Sequence, residues 1–380
     1  MSFLSSLASA FKGGGRSRVP LARSFVSPWS FALEPAPFEY RGAVRRAFLD
    51  NPLAQRAVRI VAEGIGGAPL AASDAEALRL IGMTSAAQSL LETLAAHLLL
   101  HGNGYVQVVR DGAGRPAELF ALRPERVSVV AGADGWPEAY RYAVGEQVLT
   151  LPAEDDDGWP AVIHLKAFHP ADDHYGAGCL IAASQAVAIH NAASAWNRAL
   201  LENAARPSGA LTMEAGDGNT LTPDQFDRLK AELTAAFAGN GNAGRPLVLE
   251  GGLKWQSLSL SPADMDFAEL KAAAARDIAL AFGVPPMLLG LPGDNTYANY
   301  REANRALWRL TLLPLTGKIL GGLSEGLHPW FPKLTLEVDL DRVPALAEDR
   351  ERLWAQVSAA DFLDQDEKRA LIGCPQRSRA

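Results

Sequence analysis

The side chains best suited to chemistry gather at His164, His169, Asp172, Asp173 and His174. Imidazole nitrogens and carboxylates bind divalent metals. A metal-dependent hydrolase would need His164, His169 and Asp172 to converge on one ion beside a general base. The cluster falls at the close of a predicted strand and in a loop holding Pro170 and Gly176, where polar residues occur for solvation alone. The hydrolase is therefore the lesser reading. His97 and His101 lie four apart on a predicted helix, which permits two ligands, yet no HExxH glutamate stands between them. His101 also adjoins the helix end, where a cation is favourable. Gly102-Asn-Gly104 is too short for a dinucleotide fingerprint and reads as a glycine that ends a helix ahead of a strand. No GxxxxGK[ST] loop is present, so the chain is not expected to be itself an ATPase of the P-loop type. Cys179 and Cys374 have no metal-type spacing and read as free thiols of a reducing compartment. No catalytic residue, cofactor or metal set is expected.

A second chemistry belongs to Arg301, Arg305 and Arg309, which recur every four residues and share one helix face. Such a face can touch phosphates, or pair with acids of a neighbouring subunit. Glu302 is placed to pair with Arg305 three residues on. Composition sets the bounds around these sites. The 380 residues are 48% hydrophobic, enough for a sizeable core and about two or three domains. A net charge of −7 argues against a protein that wraps nucleic acid tightly, because that affinity comes from clustered Lys and Arg. No apolar run is long enough to span a membrane. The N-terminal stretch Phe3, Leu4, Leu7 and Phe11 lacks a basic segment ahead of it and reads as a tail rather than a signal peptide.

These groups need elements to hold them, and the pattern is α+β. Asn51 and Pro52 open one helix, and a second covers 86–101. Strands are predicted at 104–110, 118–122, 126–131, 139–144 and 161–168, with a hairpin turn at 111–116. A long Ala-rich helix runs over 179–205, about 40 Å at 1.5 Å per residue. A compact insert follows, with a strand at Gly209–Met213, a helix capped at Thr222, and strands 247–250 and 253–260 joined as a hairpin by Gly251-Gly252. Phe267, Leu270, Ala274, Ile278 and Phe282 give the return helix one apolar face. Gly283 ends it, and Pro285-Pro286 cannot continue it. After a loop of Gly290, Pro292, Gly293, Asp294 and Asn295, either Asn295 or Thr296 caps a second long helix over about 297–323, with Pro314 near its end. Leu334, Leu336, Val338 and Leu340 alternate as a strand, and charged helices occupy 345–372.

Several short motifs occur in a telling order. They are Asn51-Pro52, His101-Gly-Asn-Gly-Tyr105, Leu122-Arg-Pro124, Asn203-Ala-Ala-Arg-Pro-Ser-Gly209, Leu249-Glu-Gly-Gly252, Leu260-Ser-Pro262, Gly283-Val-Pro-Pro286, Asn295-Thr-Tyr-Ala-Asn-Tyr300 and Thr311-Leu-Leu-Pro314. In order and spacing they resemble the portal proteins of tailed bacteriophages, in particular those of Hong Kong 97-type heads. The run Ile189-His-Asn-Ala-Ala-Ser-Ala-Trp196 is most similar to portals of alphaproteobacterial gene transfer agents and related prophages.

The resemblance implies a portal fold assembled as a ring of about twelve copies at one vertex of a phage or phage-like head. Its parts would be a flexible N-terminal arm at 1–25, a wing at 26–177 continued at 298–341 with the tunnel helix, and stem helices at 178–205 and 262–283. Between the stems lies an α/β clip at 206–261. A tunnel loop at 284–297 and a short helical crown with tail at 342–380 complete it. Double-stranded DNA would be packaged and ejected through the ring, touched weakly and without base reading by Leu291, Gly293, Asp294, Asn295, Thr296 and Tyr297. Arg301, Arg305 and Arg309 would face the channel or a neighbouring subunit. The large terminase would dock on the clip around Glu250, Gly251 and Gly252. Further partners would be a head–tail adaptor and the major capsid protein, with no membrane and no cofactor, in a particle assembled in the bacterial host cytoplasm. A non-channel structural head protein is the remaining alternative to the hydrolase.

Overall fold

The computed structural model describes residues 39–85, 88–155, 158–202, 209–213, 222–224, 227–228, 231, 253–257, 267–293 and 296–373. The chain forms two compact units from interleaved segments. One takes Met1–Tyr40, Val61–Cys179 and Leu312–Ala380; the other takes Arg41–Ile60 and Leu180–Thr311. No helix among the described residues is long and apolar enough to cross a membrane.

In the first unit, Asn103–Arg110 is the middle strand of an antiparallel sheet, flanked by Pro116–Leu122 and Val162–Lys166. A meander of Val127–Ala131, Pro137–Val144 and Gln147–Pro152 forms a second sheet. Tyr105, Leu122, Val127, Val129, Tyr140 and Val162 form a shared core, and burying each such side chain contributes about 1.5–3 kcal/mol. The strand Gln147–Pro152 was not predicted. Most of its residues are exposed on both faces, so it carries no alternating burial signal. The helix predicted from 86 begins instead at Leu90: Thr84–Ser85 pairs with Gln88–Ser89 as a small hairpin, and Ser89 caps the helix by accepting from Glu92 N.

The same unit holds a short helix, Ala75–Ile81, capped by Asp74, and a strand, Leu70–Ala72, paired antiparallel with Leu336–Val338. The helix Leu313–Gly326 lies directly on the strand Val162–Lys166, because Gly322 and Gly326 have no side chain to hold off Leu165 and Ile163. Pro314 therefore sits early in a helix rather than near the end of one. It is preceded by a π-helical turn, Trp308–Leu312. Proline lacks an amide proton and its ring crowds the carbonyl four residues back, so a widened turn ahead of it relieves the clash. Thr316 Oγ1 donates to Leu312 O at 2.7 Å and satisfies a carbonyl in that turn. Near the C-terminus, Arg350 reaches Asp341 and Ile372 O, tying the helix Ala347–Ala359 to its neighbours.

In the second unit, Asn51 is buried and caps the helix Pro52–Gly66 by accepting from Leu53 N and Ala54 N. Its amide nitrogen donates to His190 Nδ1 at 3.1 Å and to Asn191 Oδ1 at 2.8 Å, both on the helix Cys179–Glu202. Asn191 in turn donates to Arg46 O. The predicted strand at Gly209–Met213 forms, and its antiparallel partner is Leu253–Ser257. Strand 247–250 and the hairpin turn predicted to precede that partner lie outside the described residues.

Candidate functional site

The return helix runs Phe267–Ala281, with Ala274, Ala275, Ile278, Ala279 and Phe282 buried and Leu270 and Leu280 exposed. Gly283 then takes φ +66°, the left-handed conformation that ends a helix cheaply only at glycine. Its carbonyl accepts from Thr311 Oγ1 at 2.6 Å, and a Cβ built on it would stand 2.7 Å from that oxygen. Pro286–Leu289 forms a single 3-10 turn inside the predicted loop. Gly290 closes it at φ +73°, with Gly290 N donating to Met287 O and Leu291 N to Pro286 O.

Beyond this turn the chain stays at the surface. Leu291 is half-buried, and Pro292 and Gly293 are exposed. Arg276 reaches from the return helix to Pro292 O at 3.3 Å while also meeting Ala272 O at 3.4 Å. Asp294 and Asn295 lie outside the described residues. Of the two predicted caps Thr296 is seen to act, accepting from Asn299 N at 3.2 Å. The helix that follows, Tyr297–Leu307, leaves Tyr297 and Tyr300 exposed. Arg301 sits over the Tyr297 ring at 6.0 Å, a cation–π distance. Arg305 pairs with Glu302 at 2.8 Å, as the three-residue spacing predicts. Arg309 is exposed in the π turn. Of the loop residues named from sequence, Pro292 and its neighbours are tied to the return helix by Arg276, a contact no sequence pattern announces. Glu250, Gly251 and Gly252 lie outside the described residues.

Within the histidine and aspartate cluster, His164, His169 and Asp172 have structural partners. His164 lies opposite Tyr105 in the sheet and stacks on its ring at 4.2 Å. Asn103 fixes its proton. The Asn103 Oδ1 accepts from Gly176 N at 2.8 Å, so it can only accept again at 3.1 Å, and His164 Nε2 must carry the hydrogen. On its other side the Asn103 amide donates to His101 Nδ1, so that nitrogen carries a lone pair. Burial holds the His164 pKa down to about 3, with Lys166, His174 and His101 adding in the same direction. Burial, with His101 and Arg123, holds His97 down to about 4. Asp172 caps a turn by accepting from His174 N and Tyr175 N, and His169 Nδ1 accepts from Ala171 N. Among the described residues no group of three His, Cys, Asp or Glu side chains could hold a metal ion. The hydrolase reading has no support here.

The glycines of His101-Gly-Asn-Gly-Tyr105 serve close packing. Gly102 ends its helix at φ +79°, and its carbonyl accepts from Ala167 N at 2.7 Å. A Cβ on Gly176 would run into Gly102 O and Ala167 N, and one on Gly178 would meet Leu100 O at 2.7 Å. Backbone here lies on backbone.

The family of phage portal proteins matches residues 52–373. The chain belongs to that family. Among solved structures, the neck of a native gene transfer agent (GTA) particle, computed with C12 symmetry, holds a chain 47% identical with a TM-score of 0.68. The match covers 90% of this chain and 94% of that one. The virion of a native GTA particle holds one 44% identical, with a TM-score of 0.69 and 98% of both chains covered. An uncharacterized protein of Rickettsia felis is 40% identical over 342 residues, spanning 87% of this chain and 88% of its own length. This is a portal protein, of the kind found at the vertex of a phage-like head. A mixed helix-and-sheet portal fold is what the residue patterns and motif order led us to expect.

Proposed function

We propose that about twelve copies of this portal protein close into a ring at one vertex of a phage-like head, and that double-stranded DNA enters and leaves through it. The family match over 52–373 carries the reading, and likeness to a chain in a neck computed with C12 symmetry supports the copy number. The interfaces of such a ring are head-to-tail, each subunit offering a different face to either neighbour. Within the chain, 26–177 and 298–341 make the wing, 178–205 and 262–283 the stem, 206–261 the clip, and 342–380 the short crown. The clip receives the large terminase through Glu250, Gly251 and Gly252 during packaging. A head–tail adaptor takes its place later, and the wing meets the capsid protein. The loop 284–297 lies beside DNA, with Leu291, Gly293, Asp294, Asn295, Thr296 and Tyr297 nearest to it. Exposed Tyr297, glycine and short polar groups suit weak, repeated contact with a moving duplex. Arg301, Arg305 and Arg309 line the channel or the subunit boundary. The ring performs no covalent chemistry, and it assembles in the bacterial cytoplasm before it is built into the particle.

The test is the native mass of the purified full chain, with negative-stain images. About twelve subunits of 40.5 kDa give a closed particle of roughly 0.5 MDa with a central hole. A chain that stays monomeric even with its capsid and scaffold partners present would overturn the ring.

A further inference from the structure

Two side chains outside the loop hold it, one where it begins and one at Pro292. Thr311 Oγ1 donates to the Gly283 carbonyl at 2.6 Å, at the point where the return helix stops. The match is close, since the hydroxyl occupies the space a side chain at Gly283 would need. Further along the loop the Arg276 guanidinium spans two carbonyls, Ala272 O on its own helix and Pro292 O in the loop. A planar fork with several fixed donors can bridge two acceptors in this way, and it stays charged at any working pH. Between these two points only the 3-10 turn Pro286–Leu289 gives the loop internal hydrogen bonds.

We propose that Arg276 and Thr311 are positioning residues for DNA passage. Thr311 fixes where the loop leaves the return helix, and Arg276 fixes how far its tip at 292–293 stands off from that helix. Neither needs to touch DNA. Together they set the stiffness with which the loop at 284–293 is presented to the duplex. This rests on the channel reading given above, and it adds the two residues that tune the contact.

The test compares full-length Arg276→Ala, Thr311→Val and Thr311→Ser chains with the parent. Thr311→Val keeps the shape and loses the hydroxyl, whereas Thr311→Ser keeps the hydroxyl. Hydrogen exchange is read at the Gly290 and Leu291 amides, both hydrogen-bonded within the turn. Exchange there is expected to rise about fivefold in Arg276→Ala and in Thr311→Val, the factor one ordinary hydrogen bond confers, and to stay at the parent rate in Thr311→Ser. Particles carrying the first two variants should still form rings yet lose packaged DNA faster than the parent. Unchanged exchange in either variant, or faster exchange in Thr311→Ser as in Thr311→Val, overturns the positioning role. Faster exchange with normal DNA retention overturns the link to DNA passage. The exchange measurement needs no ring, so failure of the parent to form one counts against the ring alone.

Discussion

Acid should weaken the fold through histidines that have no room for charge. His164 titrates near 3 and His97 near 4 in the folded chain, against about 6.5 when unfolded. The cause in both is burial, reinforced by nearby positive groups. Because the folded pKa values are lowered, the unfolded state binds more protons between about pH 6.5 and pH 3. Stability is therefore full above pH 6.5 and falls as pH drops through that window. From pH 7 to pH 5, the linkage relation gives a loss of about 2 kcal/mol for His164 and about 2 kcal/mol for His97. His101 and His190 are shifted in the same direction and add to it. His164→Phe isolates one contribution: a Phe ring can keep the stack on Tyr105, and Asn103 Oδ1 still accepts from Gly176 N. Urea unfolding of the full chain, followed by circular dichroism at pH 7 and pH 5, should show His164→Phe losing about 2 kcal/mol less than the parent. An identical loss in both would refute the assignment of the acid sensitivity to this ring.

Further outcomes follow from single features. Gly176→Ala forces a methyl group into Gly102 O and Ala167 N, so urea unfolding should show a loss of at least about 3 kcal/mol; a smaller one would mean that the backbone there can yield. Asn51→Ala removes a helix cap and leaves His190 and Asn191 without a donor, a cost of about 2–3 kcal/mol by the same assay, with Asn51→Asp restoring the cap alone. Replacing Asp294–Tyr297 by Gly-Ser repeats should leave ring formation intact and change genome retention or packaging rate, and no change in either would remove the loop from the channel. Deletion of 206–261 should leave the Val61–Cys179 sheets folded, by exchange protection of their strands, while particles fail to package; normal packaging would sink the clip assignment.

What could be read from the sequence followed residues whose local chemistry decides the structure. Gly102 and Gly283 end helices because glycine alone enters the left-handed region cheaply, and both positive φ angles are present. Thr296 and Asn51 cap their helices through their own side chains. Pairings between distant segments left no comparable trace. Leu70–Ala72 is too short to alternate and exists only because Leu336–Val338 lies beside it. Ser89 moved a helix start by offering a cap later than the apolar pattern suggested. Pro314 is tolerated within a helical run because the turn ahead of it is π-helical, and a rule written for α-helical turns does not announce that widening. At the site, the loop's composition was legible and the Arg276 contact was not, since nothing in a helical spacing says which carbonyl a long side chain will reach.

The pairing of Leu70–Ala72 with Leu336–Val338 carries a consequence in time. Synthesis at roughly 5–20 residues per second means that the early strand waits some ten to fifty seconds for its partner to leave the ribosome. During that wait the whole of Leu180–Thr311 is made. The first unit thus stays open until residues 313–338 have been made, with its edge unpaired and the helix Leu313–Gly326 not yet laid on Ile163 and Leu165. A chain that stops early cannot close this unit. Products that end before Leu336 therefore lack the strand that completes this sheet, so the topology itself separates incomplete chains from folded ones.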